Sequence, residues 1–314
     1  MINVAVIYGG RSREREVSLK SGKGIAKALR TKGCNVKEID FTSKDFISEL
    51  NGIDVVYLAL HGRYGEDGRI QGVLDILDIP YVGSGVLASA LAMDKAKAKI
   101  IFKNAGIRVA KDKLVYKKDK SEIDIEKLTA EFEFPLVVKP NQEGSTIGLS
   151  IVKTKGELNK AIDDAFSYDD QILIEEFIAG KEVTVAVLET ETEIKALPII
   201  EIIPNKNQYY DYESKYAPGG SEHIIPARID DKTTDLLKEW AIKAHQALGC
   251  ETLSRVDFII PNDNSLPVIL EVNTLPGMTE TSLYPDAARA IGLSYEDIVY
   301  KLIKITQNKY KNKQ

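Results

Sequence analysis

Val268–Thr279 reads VILEVNTLPGMT, in which Val268, Leu270 and Val272 alternate with Ile269, Glu271 and Asn273 before the strand breaks at Pro276 and Gly277. Period-two alternation puts the acid and the amide on one face. That face is either the wet side of a half-exposed edge strand or one wall of a metal site. The preceding run LSRVDFII, Leu253–Ile260, is joined to it by PNDNSLP, a loop rich in turn residues, so the two runs predict an antiparallel hairpin. A register symmetric about Asn264 keeps Val256, Phe258 and Ile260 on the buried face with Val268, Leu270 and Val272. It sets Asp257 opposite Glu271 and Arg255 opposite Asn273. Directly opposed carboxylates repel one another, and a cation between them removes the repulsion. Two carboxylates and an amide oxygen suit a hard divalent ion such as Mg2+ that shares its other positions with water and phosphate. In the competing arrangement Arg255 neutralises both acids in a solvent-side cluster. The hairpin alone leaves the two level.

The composition bounds the rest. The chain has 314 residues, of which 44% are apolar and 28% charged, an ordinary globular balance. Its net charge of −5 gives no electrostatic reason to expect nucleic acid or an anionic membrane as partner. Cys34 and Cys250 fit no metal or redox spacing and read as free thiols of a reducing cytoplasm. The N-terminus shows no secretory pattern, and the longest apolar runs are far too short to span a bilayer. The basic tail NKYKNKQ, Asn308–Gln314, reads as a frayed end.

Working outward from the hairpin, three units emerge, at 1–92, 93–186 and 187–314. In the first, NVAVIYGG, NVKEID and DVVYLAL read as strands alternating with helices, which implies a mostly parallel sheet. Its strand ends place YGGRSRERE and HGRYGEDG as candidate site loops. The second opens with the helix MDKAKAKIIFKNAG, which Asp94 can cap, and carries a Gly/Ser loop between two strands. The third holds a helix from about Lys232 to Leu248 and the hairpin.

Phosphates bound with a metal need a cradle. No Walker A pattern and no GxGxxG fingerprint is present. EGSTIG fits better. There Gly144 and Gly148 allow close backbone approach to a ligand, Ser145 and Thr146 add hydroxyls, and Lys139 stands at the end of the strand before the loop. In ILIEEFIAGKE an apolar strand emerges into a hinge where Glu175, Glu176 and Glu182 can accept from an adenine amino group or ribose hydroxyls.

In this order VVKPNQEGSTIG, LIEEFIAGKE, SRVDF and LEVNTLPGMT resemble the ATP-grasp ligases. More narrowly, GGRSREREVSLKSG, ALHGRYGEDGRIQG, VGSGVLASALAMDK, YYDYESKY and PGMTETSLYP resemble the D-alanine–D-alanine ligase family, from about Val4 to Leu302. The resemblance implies a three-domain α/β ATP-grasp architecture, with an N-terminal parallel, Rossmann-like domain followed by two α+β subdomains. It implies a cytoplasmic, often dimeric enzyme that uses ATP to phosphorylate one D-alanine and lets the amine of a second attack the acyl phosphate. Asp257, Glu271 and Asn273 match the ligands of two Mg2+ ions, with Mn2+ an alternative, and Lys95, Lys139 and Lys215 match phosphate contacts. Glu175, Glu176, Phe177 and Ile178 match the adenine hinge, and Glu182 the ribose contact. Glu14 matches the acid that pairs with the first ammonium, and His61 lies in the matching substrate loop. Arg255 and the Gly277 amide match oxyanion stabilisers, and Ser282 and Leu283 the acceptor-carboxylate site. Ser145 and Tyr216 match a pair linked to Glu14 on closure, within a lid built on NKNQYYDYESKYAPGGSEH. In ligases that use D-lactate this tyrosine is replaced, so Tyr216 implies an amine acceptor. An ATP-grasp ligase with a different acceptor is the alternative.

Overall fold

The structure, a computed structural model, describes residues 1–42, 44–204 and 220–313. Its first sheet is parallel, in the order β2-β1-β3-β4, from β1 (Asn3–Tyr8), β2 (Asn35–Asp40), β3 (Val55–Leu58) and β4 (Tyr81–Val82). Helices α1 (Arg15–Thr31) and α2 (Arg69–Ile76) supply two of its crossovers. Adjacent β1 residues enter different apolar clusters, Val4 and Val6 on one side and Ala5 and Ile7 on the other. Burial on both faces is why this strand reads as a continuous apolar run.

Helices α3 (Val86–Met93) and α4 (Lys95–Asn104) lead to the second sheet, and the Asp94 side chain caps α4 by accepting from the Lys97 amide. The second sheet is antiparallel, in the order β5-β8-β6-β7, from β5 (Asp112–Tyr116), β6 (Leu136–Pro140), β7 (Ser150–Val152) and β8 (Gln171–Glu176). Helices α5 (Ile125–Glu131) and α6 (Lys155–Phe166) pack on one face, and α6 starts with a Thr154–Glu157 capping box.

The third sheet runs β12-β11-β9-β13-β14, with β10 against β9. Its strands are β9 (Gly180–Glu189), β10 (Ile194–Ala196), β11 (Ile200–Pro204), β12 (Ser221–Ile224), β13 (Leu253–Pro261) and β14 (Val268–Asn273). Helix α7 (Asp231–Leu248) ends at Gly249, whose φ of 73° is the left-handed cap that glycine accepts at little cost. Helices α8 (Leu283–Arg289) and α9 (Tyr295–Lys313) share one apolar cluster with the first sheet and with β9 and β11. That shared core brings the carboxyl ends of the first sheet's strands to the β13–β14 hairpin.

Asn308–Lys313 is not frayed. Helix α9 runs through Lys313, because Lys309 pairs with Glu189 at 3.1 Å and the Tyr310 ring packs edge-on against Tyr81. Among the described residues, no helix is long and apolar enough to cross a membrane.

Candidate active site

The hairpin sets Arg255 opposite Asn273 and Asp257 opposite Glu271, the pairing the apolar pattern predicts. Just beyond Asp257 the register shifts, so that Phe258 faces Ile269. One extra residue on β14 reverses the facing of the side chains before it. Ile269, 2% exposed, therefore packs in the core with Phe258 and Val272, while Leu270 turns into the cleft beside Glu271. This corrects the expectation that Leu270 is a core residue.

Asp257 is 5% exposed and heavily engaged. It accepts from Arg255 Nε at 2.9 Å and Nη2 at 2.7 Å, from Thr184 Oγ1 at 2.6 Å and from Asn273 Nδ2 at 3.0 Å. Glu271 instead lies 3.6 Å from Lys95 Nζ. Arg255 is thus Asp257's partner, and Glu271 faces the cleft with a lysine. Among the described residues no three acids, histidines or cysteines are placed to hold a metal ion, so a metal here depends on the Asn273 amide as third donor. Two carboxylates and an amide, in register on adjacent strands, form an all-oxygen set that fits Mg2+ and leaves room for phosphate oxygens.

The cleft between the second and third sheets holds about 1020 Å³ of atom-free space, its solvent-open mouth included, enough for a nucleotide. Lys95, Lys139, Glu175, Glu176, Phe177, Ile178 and Glu182 line it together with Asp257 and Glu271. Val137, Ile151, Ile259 and Leu270 contribute apolar wall. Lys95 Nζ donates to the Glu143 carbonyl at 2.7 Å, which fixes its charge near the Gly/Ser loop. Glu175 is buried, with Lys139 at 2.6 Å and Lys99 at 2.5 Å. Burial alone would raise its carboxyl, but the two ammonium groups outweigh burial and hold it at about 2. Its carboxylate is therefore occupied by lysines rather than turned to a base. Sequence reasoning missed Lys99, because nothing in KAKAK separates a buried lysine from solvated ones.

A second, smaller cavity opens beyond Arg255. Glu14, His61, Ser145, Arg255, Gly277, Ser282 and Leu283, widely spaced in sequence, all line it. Glu14, 5% exposed, accepts from the Ser145 hydroxyl. Ser145 and Thr146 sit at φ of 51° and 64°, in the left-handed region that non-glycine residues seldom occupy. Gly62, at φ +67°, is required, since a Cβ there would lie 2.7 Å from Glu14 Oε2. Gly144 lines the smaller cavity, whereas Gly148, expected to admit a ligand, instead packs on protein. A Cβ at Gly148 would meet the Tyr168 ring at 2.7 Å, and one at Gly144 the Glu14 carboxylate at 3.1 Å.

The cavity's titratable groups pull in different directions. Burial disfavours the charged form of the His61 imidazole and drives it below its ordinary pKa, against the pull of Glu14. Glu66 accepts from the Gly62 amide at 2.6 Å, yet burial and the neighbouring Glu14 push its carboxyl up. The Ser282 hydroxyl meets the Thr279 amide at 3.0 Å and the Thr279 hydroxyl at 2.7 Å, with Gly277 close behind. Glu66 and His223 are cavity residues that sequence reasoning did not single out. Lys215 and Tyr216 lie outside the described residues.

Two family models match the chain, the D-ala D-ala ligase N-terminus at residues 37–84 and the D-ala D-ala ligase C-terminus at residues 101–304. The D-alanine–D-alanine ligase of Halalkalibacterium halodurans is 56% identical over 310 residues, covering 98% of this chain and all of the relative. The chain belongs to the D-alanine–D-alanine ligase family. Solved structures of the family agree in fold. The Bacillus anthracis D-alanine–D-alanine ligase complexed with ATP superposes with a TM-score of 0.84 at 31% identity, covering 99% of both chains. The VanG D-Ala:D-Ser ligase of Enterococcus faecalis superposes at 0.83 with 32% identity, covering 97% of this chain and 99% of its own. The family's ATP-grasp architecture, a parallel α/β sheet followed by two antiparallel sheets, is the fold described above.

Proposed function

We propose that this chain is an ATP-dependent ligase that joins two D-alanines into D-alanyl-D-alanine, for peptidoglycan precursor synthesis. The observation that carries this reading is the meeting of two cavities at Ser145 and the Arg255–Asp257 pair. One cavity is of nucleotide size with lysines and hard-oxygen ligands, and the other is small and polar with a buried acid.

In this reading Glu14 holds the ammonium of the first D-alanine and turns its carboxylate toward the cleft. Lys95 and Lys139 hold the phosphates, Glu176, Phe177 and Ile178 the adenine, and Glu182 the ribose. Glu175 acts through the lysines it pairs with. Asp257, Glu271 and Asn273 would hold Mg2+, with Mn2+ a substitute, and the ions supply neutralisation of phosphate oxygens during transfer. The donor carboxylate takes the γ-phosphoryl group and becomes an acyl phosphate. The second D-alanine, its carboxylate at Ser282 and Leu283, attacks the carbonyl carbon with its amine. Negative charge then grows on the carbonyl oxygen, where Arg255 and the Gly277 amide stabilise it, and phosphate leaves. Lys215 and Tyr216, which match a phosphate contact and the pair linked to Glu14, keep those roles in this reading as residues outside the described ones. We place the protein in the cytoplasm as a homodimer of three-unit chains, 1–92, 93–186 and 187–314, with β9 crossing the second boundary.

The purified protein with ATP, Mg2+ and D-alanine is expected to release phosphate and form dipeptide, and L-alanine is not expected to support release. An absence of phosphate release with any amino acid refutes the ligase reading. The likeness to a D-Ala:D-Ser ligase keeps one alternative in view, a different acceptor. Parallel reactions containing D-serine or D-lactate decide it by product mass.

A further inference from the structure

His223, on β12, lines the smaller cavity, and the steps above give it no task. Its Nδ1 lies 2.6 Å from Asp286 Oδ2 and its Nε2 3.2 Å from Ser221 Oγ. Both members of the pair are largely buried, their side chains 19% and 16% exposed. Asp286 stands in the first turn of α8, with its amide on the Ser282 carbonyl at 3.0 Å. The pair therefore ties β12 to the short segment that presents Ser282 and Leu283 to the cavity.

The charge inventory of the cavity gives this placement meaning. Glu14 and Glu66 are both acids, and among the described lining residues the groups able to carry positive charge are Arg255, His61 and His223. Two of Arg255's guanidinium nitrogens donate to Asp257. Burial of His61 disfavours its charged form. An amino acid that enters as acceptor keeps its own carboxylate throughout the reaction. A carboxylate taken out of water beside two acids is costly unless a cation meets it. Ser282 supplies a hydroxyl but no charge, and His223 reaches the same cavity from the opposite element.

We propose that His223, braced by Asp286, is a specificity-determining residue of the acceptor half of the cavity, where its ring Nε2 exchanges the Ser221 hydroxyl for the free α-carboxylate of the incoming amino acid and disfavours acceptors whose carboxylate is blocked. Asp286, whose other carboxylate oxygen pairs with Arg289 on its own helix, is a positioning residue that acts on the acceptor through the ring. The inference rests on the ligase reading and adds a discriminating group to it.

The test is a competition. Wild-type protein with ATP, Mg2+ and D-alanine as donor receives D-alanine and D-alaninamide as competing acceptors, and the free-acid and amide dipeptides are separated by mass. Wild type is expected to make mostly the free acid. In His223→Gln the free-acid to amide ratio is expected to fall by about tenfold, the loss of one charge-assisted contact, with KM for ATP unchanged. Asp286→Asn shifts the ratio the same way by less, and His223→Lys retains the preference, which a merely structural role would not. An unchanged ratio in His223→Gln overturns the inference. If that variant does not fold, Asp286→Asn carries the test, and an unchanged ratio there overturns it equally. Wild type making neither product would refute the ligase reading instead, so the two failures are distinct.

Discussion

The two cavities handle buried acids in opposite ways. In the nucleotide-sized cleft Glu175 is clasped by Lys139 and Lys99 and held at about 2, so its charge is settled before any ligand arrives. In the smaller cavity Glu66 stands near Glu14, and burial and like charge push its carboxyl up. A cleft with internally matched charge recognises by shape and by where its remaining lysines point. A cavity crowded with acids is poised for a cationic group, and an ammonium is the one an amino acid brings.

Four substitutions break or sharpen this contrast. Glu271→Gln strikes the oxygen set at the junction, and turnover is expected to fall by at least about 10³-fold, with circular dichroism unchanged. Near-normal turnover would refute the metal assignment. Glu175→Gln breaks the matched side by leaving Lys139 against a neutral amide and Lys99 with Asp112 alone, at 3.3 Å. A loss of about 3 kcal/mol in urea unfolding is expected, and a loss under 1 kcal/mol would mean the lysines find other partners. The pH sign follows from a depressed folded pKa. The contribution of Glu175 is full above the ordinary carboxylate range, about 4.3, and is lost as pH falls from there through about 2.

Glu14→Gln acts on the crowded side. The KM of the first D-alanine is expected to rise by about 100-fold while that of ATP stays within a few-fold. Equal rises in both would point to general distortion. Glu66→Gln has the smallest effect. Because the folded carboxyl titrates at about 8 and the unfolded one in the ordinary range, folded protein holds a proton that unfolded protein has lost at intermediate pH. Wild-type stability therefore declines as pH rises from about 4.3 toward 8 and then levels. The variant should lack that decline and gain about 1 kcal/mol on wild type at pH 9, a modest figure because Glu66 and Glu14 titrate together and either can keep the proton. No difference between pH 5 and pH 9 would remove the like-charge account.

What the sequence disclosed follows the same physics. Alternation on both strands and a turn-rich loop fixed the pairing of Asp257 with Glu271, because a slip would have exposed an apolar set. The bulge beyond it was hidden, since Ile269 and Leu270 are both aliphatic and exchanging their faces leaves the pattern unchanged. Lys99 and His223 were hidden for another reason. Each acts through a partner far away in sequence, Glu175 and Asp286, and neither lies in a run whose composition marks it. The helix at the tail was misread as fraying because its polar residues make their contacts with β9 and β4 rather than with one another.

The central claim is that a carboxylate held in one cavity is phosphorylated from the other, at their junction. D-alanine labelled with oxygen-18 in its carboxylate tests this directly, with released phosphate analysed by mass during turnover with ATP. The account predicts one labelled oxygen in each phosphate released, because the donor's oxygen leaves with phosphorus when the amine attacks. Unlabelled phosphate alongside normal dipeptide formation would contradict it.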